Sequence, residues 1–222
     1  MPILLLYAPW LLQLEEAGHL ELADNRTNVP YLATSTPHQL GMWPIAQQQV
    51  QEYMPVETTA DFIYAMTEAE RRSPGLVTEY LTENKFWPTI GRFALFLNES
   101  LPVPPTQKYT NDFRGEQPGW TNLAVKGTIG LSAYAWLIRQ APPGERASLP
   151  DPASLEAAAR ASSEYFNQMA WAGGSHFRTC YDCPKYNGSS SFDYKYNLMG
   201  LVLLNGDPTA ALAFDQAKLA AD

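Results

Sequence analysis

Between residues 57 and 72 the apolar side chains Phe62, Ile63, Met66 and Ala69 recur at helical intervals, and Ser73-Pro74-Gly75 follows. This spacing lines one face of an α-helix, and the Ser-Pro-Gly run ends it. A shorter helix is predicted over 76–83. Another covers about 85–97, with Trp87, Ile90, Ala94 and Leu97 on one face; Pro88 is tolerable only because it falls near the start. Residues 121–139 are apolar almost all round, the pattern of a helix buried on two sides. Gly127 and Gly130 within it would let another backbone approach closely. The turn-rich run "APPGERASLP" then links to an Ala-rich helix over 154–171, and Asp207-Pro208 reads as the cap and first residue of a last helix. No alternating strand pattern longer than a few residues is present, and no repeat. Phe62, Trp87, Ala94, Leu123, Ile129 and Tyr134 are the expected core.

These elements predict an all-α fold of antiparallel helical hairpins with functional loops. A hairpin with its connections takes about 45–50 residues, which gives about four to five hairpins in a single domain over 1–222. The 222 residues, 45% hydrophobic and 17% charged, describe a globular chain able to bury a sizeable core. A net charge of −8 without a basic stripe argues against nucleic-acid binding. No apolar run reaches the ~20 residues of a membrane span. The longest, "ILLLYAPWLL", is interrupted by Pro9, lacks a preceding basic residue and a clear cleavage site after it, and reads as part of the fold rather than a signal peptide. Three sequons, at Asn25, Asn98 and Asn187, favour a secretory history. Cys180 and Cys183 suit a small local disulfide, with two free thiols as the plainer alternative and zinc, which two thiols cannot hold alone, a poor third. Phosphate loops and dinucleotide fingerprints are absent, and neither cofactor nor metal is expected.

Several segments resemble one family in order and approximate spacing. "PHQLGMWP" (37–44) is similar to Pro-His-Asp-Leu-Gly-x-Tyr-Pro, and "YMPVETTAD" (53–61) to Met-Pro-Val-Glu-Glu-x-Gly-Asn. "YTNDFRG" followed by "TNLAVKG" resembles Thr-Asp-Asp-Phe-x-Gly followed by Asn-Leu-x-x-Lys-x. "SHFRTCYD" and "FDYKYNLM" resemble a His-containing segment and a Lys-Tyr-Asn-Leu near the end of the domain. Together they resemble the six-hairpin (α/α) toroid domain of fungal glutaminase A. Gln39, Thr58 and Asn111 stand where that pattern has Asp, Glu and Asp, and Ala60-Asp61 replaces its Gly-Asn. The resemblance implies a secreted protein and a ring already under way at residue 1, with its opening hairpin missing. It also implies hydrolysis of L-glutamine to L-glutamate and ammonia, with little or no activity expected of a chain with these departures and an open edge through which copies associate.

Within that resemblance Glu57 is the expected base for water and Asp112 the acid for the leaving amine. Glu57 also suits a first helical turn on dipole grounds alone, and Asp112 an Asx-turn. Asn122 and Lys126, four apart, share a helix face. A buried ammonium is costly, so Lys126 requires a carboxylate neighbour, either a structural salt bridge or a ligand's carboxylate. His38 would orient substrate or bond a neighbouring carbonyl. Lys195, Tyr196 and Asn197 would line the pocket, although Tyr196 also suits a core. The expected partner is a small molecule, glutamine or a related amide, and no oligomeric state is fixed. Paired carboxylates would equally serve a glycoside-processing enzyme on the same scaffold, and the departures suit a non-catalytic binding relative.

Overall fold

The computed structural model describes residues 35–36, 53–108, 115–174, 176–183 and 198–221. Its main helices are α1 (Pro55–Arg72), α2 (Leu76–Glu83), α3 (Trp87–Glu99), α4 (Thr121–Gln140) and α6 (Pro152–Met169). One-turn α5 (Pro143–Arg146) lies in the linker, and α7 (Met199–Leu203) and α8 (Gln216–Ala221) follow α6. A two-residue pair, β1 (Gln107–Lys108) and β2 (Glu116–Gln117), runs antiparallel with Gln107 opposite Gln117. The fold is mostly helical, as the sequence pattern predicts, and no described helix is long and apolar enough to cross a membrane.

The centre of the molecule is α4, with 17 of its 20 residues buried. An apolar run without a polar stripe has no solvent face, and α1, α3, α6 and α7 all pack against it. Gly127 and Gly130 make this closeness attainable. A Cβ on Gly130 would stand 3.1 Å from Ala60 Cα of α1, and one on Gly127 3.2 Å from Val56 Cγ1. All six expected core residues are buried.

Contact order fixes the directions. Leu101 meets Gly127, Leu97 meets Gly130 and Gly91 meets the Tyr134 hydroxyl, so α3 and α4 run antiparallel. Thr128 bonds Ser162 and Arg139 pairs with Glu156, so α4 and α6 also form an antiparallel pair. Between α1 and α4 the numbering rises together: Val56 faces Gly127, Ala60 faces Gly130, and Thr67 donates to the Ala133 carbonyl. These two helices are parallel, so their N-termini, and the positive ends of their dipoles, share one end of the molecule.

One predicted element differs. Asp207-Pro208 opens a single 3₁₀ turn, Asp207–Thr209, rather than a helix. Ser132 of α4 donates to the Pro208 carbonyl at 2.8 Å, and Thr209 bonds back to the Leu204 carbonyl. Beyond it, Ser163 and Asn167 of α6 take up the backbone groups of Ala213 and Asp215. Side chains of neighbouring helices thus satisfy groups that a helix would have paired internally. At the other helix ends the predicted and observed limits differ by about two residues, as fraying ends do.

Candidate functional site

The shared N-terminal end of α1 and α4 is assembled from four stretches of chain. Pro55 starts α1 without a side-chain cap from Met54. The cap comes from afar: the buried Gln107 side chain accepts from Val56 N at 3.1 Å, satisfying a donor that every helix start leaves open. Gln107 is itself held by Trp120, whose indole N–H donates to its carbonyl, and Lys108 N donates to Tyr53 O. Thr36 is tied to the same turn, donating its N–H to Thr59 Oγ1 at 3.0 Å and accepting from Thr58 Oγ1 at 2.9 Å. At the start of α4, Thr121 N donates to Thr179 O, and Trp120 bridges Cys180, which is joined to Cys183 in a disulfide.

Inside this frame Glu57 and Asp61 stand four residues apart on α1, hence on one face, and Lys126 meets both from α4. Lys126 Nζ donates to Glu57 Oε1 at 2.6 Å and to Asp61 Oδ2 at 3.1 Å. The Lys126 and Glu57 side chains are 6% and 10% exposed, whereas Asp61 is 50% exposed. Burial alone would depress the Lys126 pKa, but the charges of Asp61 and Glu57 outweigh it and raise it, so the ammonium is firmly charged. Asp61 moves up as well. Its withdrawal from water and the nearby Glu57 charge exceed the pull of Lys126. Tyr64, one turn on, donates its hydroxyl to the Lys126 carbonyl; burial, with Asp61 and Glu57 nearby, holds its pKa well above the usual range, so it stays a donor.

Two of the expected site residues, Glu57 and Lys126, are therefore brought together across 69 positions. The carboxylate neighbour that burial demands of Lys126 is supplied by the protein. Asn122 is buried one turn before Lys126 on α4. Asp112 and Asn111 lie outside the described residues, in the stretch between β1 and β2, and β1 is itself anchored at the start of α1. His38, Lys195, Tyr196 and Asn197 also lie outside them, as do the sequons at Asn25 and Asn187. Asn98 occupies the last turn of α3, half-buried.

Asp61 is the member of the cluster that sequence reading missed. It stands out in the sequence only as a departure from Gly-Asn, although its four-residue offset from Glu57 places it on the same helix face. Among the described residues no group of three His, Cys, Asp or Glu side chains is placed to hold a metal ion.

A buried ammonium between two carboxylates, at the positive ends of two parallel helices, can orient a polar ligand and hold a carboxylate ready to accept a proton. Residues 1–217 match the glutaminase A six helical-hairpin domain. The chain is also similar to the Glutaminase A of Aspergillus oryzae, with 31% identity over 139 residues, 60% of this chain and 19% of that protein. The matched stretch is thus about a fifth of that relative's length. By the match over nearly its whole length, the chain belongs to the glutaminase A six-helical-hairpin family.

Proposed function

We propose that the Glu57–Lys126–Asp61 cluster is the floor of an amide-hydrolysing site that converts L-glutamine to L-glutamate and ammonia. The observation that carries this reading is the buried Glu57–Lys126 pair at 2.6 Å, on the matched family segments, at the joint N-terminal end of α1 and α4. In this mechanism Glu57 takes a proton from water as the water oxygen bonds to the carboxamide carbon. The tetrahedral adduct then collapses, the C–N bond breaks, and Asp112 gives the proton that lets nitrogen leave as ammonia. His38, Asn122, Lys126, Lys195, Tyr196 and Asn197 hold the substrate. Lys126 fixes the Glu57 rotamer, and fixed geometry matters because a misplacement of ~1 Å can cost about a hundredfold in rate.

The test is ammonia release from L-glutamine by the purified protein, beside sugar release from a glycan panel. Slow glutamine-specific turnover is expected, falling at least about a hundredfold in Glu57→Gln, which preserves shape and hydrogen bonding to Lys126 while removing the base. Sugar release without ammonia, or silence in both assays, overturns the reading.

A further inference from the structure

Of the three sequons, the one at Asn98 lies within the described residues, and the hydrolytic site makes no use of it. Asn98-Glu99-Ser100 closes α3, with Asn98 in the last turn and Ser100 as the cap residue. α3 turns Leu97 and Leu101 towards α4, at Gly130 and Gly127. Helical geometry then sets Asn98 on the flank, about 100° from Leu97, with Leu95 and Glu99 on the outward side. Both of these are exposed, Leu95 by 43%. Asn98 is half-buried, and its carboxamide, which reaches water, makes no hydrogen bond among the described residues. Side chains on a helix lean over the turn N-terminal to them, so Asn98 leans towards the exposed Leu95 and not into the core.

We propose that Asn98 carries an N-linked oligosaccharide, at a modification site independent of the hydrolytic reading. The donor is an oligosaccharide held through N-acetylglucosamine on a lipid diphosphate. The Asn98 nitrogen bonds to the anomeric carbon as the sugar–phosphate C–O bond breaks; the lipid diphosphate leaves and the amide gives up one proton. The Asn-x-Ser spacing with a residue other than proline at x is what this transfer requires, and Glu99 meets it. Transfer acts on the chain before it folds, so the later burial of Ser100 is no obstacle. What the fold must leave open is Asn98, because a bulky, hydrated glycan is tolerated only at a surface. The Cys180–Cys183 disulfide points to the same history, since disulfides persist in the oxidising compartments of secretion.

The experiment expresses the protein in yeast behind a cleavable secretory leader and trims it with endoglycosidase H, which leaves one N-acetylglucosamine at each occupied site. The tryptic peptide from Phe93 to Lys108 contains Asn98 and neither of the other sequons. Mass mapping is expected to find this peptide heavier by one N-acetylglucosamine in most secreted molecules. Asn98→Gln and Ser100→Ala should each return it to its bare mass, and Ser100→Thr, which keeps the sequon, should not. Because transfer precedes folding, the peptide is also mapped from chain retained inside the cell, so a variant that fails to fold still gives an answer. A bare peptide in both secreted and retained wild-type chain overturns the proposal. A sugar on retained chain alone, with the secreted protein bare, means that the fold excludes it and overturns the proposal too. A sugar that persists in Asn98→Gln sits elsewhere in the peptide, with the same consequence.

Discussion

The two ends of α1 each bury a carboxylate, and they solve the same electrostatic problem in different ways. Near the C-terminal end, Glu70 is 3% exposed and accepts from Gly75 N at 2.7 Å, Val77 N at 2.8 Å, and Thr78 N and Oγ1 at 3.1 Å each. These donors are the open N–H groups at the start of α2, so one carboxylate caps a neighbouring helix and is satisfied without a cation. At the N-terminal end Glu57 is paired with a buried ammonium, and the half-exposed Asp61 shares that ammonium. A carboxylate saturated by neutral backbone donors invites no ligand. A buried ion pair with a half-exposed second carboxylate does. Burial alone therefore does not distinguish a structural acid from a functional one; the identity of its donors does.

The strongest way to break this contrast is to remove the ammonium. Lys126→Met keeps most of the side chain's volume but strands Glu57 in a site 10% exposed. Breaking a buried pair from one side costs about 3–5 kcal/mol, because the remaining charge has lost its water and its partner. The urea midpoint should fall accordingly, and the double variant with Glu57→Gln should recover most of the loss. A single variant within about 1 kcal/mol of the wild type would place the pair among solvent-screened salt bridges and remove the premise.

At the other end, Glu70→Ala withdraws the shared acceptor from three backbone N–H groups and a hydroxyl. The expected loss is about 2–4 kcal/mol, since hydrogen bonds to a charged group are each stronger than neutral ones and the Val77 and Thr78 N–H groups left behind are buried. Binding of L-glutamine by the folded fraction should not change. Loss of binding at full stability would mean that Glu70 is no mere cap, and the two ends of α1 would no longer differ in kind.

Most of the helical layout is legible in the sequence, because periodicity and breakers act locally. The central position of α4 follows from its lack of a polar stripe, and its glycines announce the close approach to Ala60. The need of Lys126 for a carboxylate follows from the cost of burying a charge. Its partners do not, because they depend on the parallel packing of α1 on α4, which joins positions 65 and 69 apart. Gln107 as the cap of α1 is invisible for the same reason: 51 positions separate it from Val56. The turn at Asp207 misleads because its local signals are those of a helix start, while Ser132, Ser163 and Asn167 supply competing bonds from elsewhere. Asp61 is the instructive miss. Its four-residue spacing from Glu57 places it on the same helix face, but its meeting with Lys126 depends on the packing of α1 against α4.

The smallest expected effect is the pH dependence of stability at Asp61. Its folded-state pKa lies above the ordinary 3.8, through lost hydration first and the Glu57 charge second, against the opposing pull of Lys126. Between 3.8 and the raised value the folded protein holds more of this proton than the unfolded chain does. Stability contributed by the protonated group is therefore full below 3.8 and is lost as pH rises through the folded value. Asp61→Asn has no such proton, so its stability relative to the wild type should rise over that window and then stay level towards neutrality. Lys126 does not blur the comparison. Burial lowers its pKa, but Asp61 and Glu57 raise it above 10.5 in the wild type, far from the acid range. With half of the Asp61 side chain in water, screening limits the difference to a fraction of a kcal/mol, about the size of an exposed ion pair. Urea midpoints for both proteins at intervals from about pH 3 to 7, at low ionic strength so that salt does not mask the effect, would resolve it. If the wild type instead gained on the variant as pH rose, ionised Asp61 would be a stabilising partner of Lys126, and the open end of α1 would be as self-contained as the end closed by Glu70.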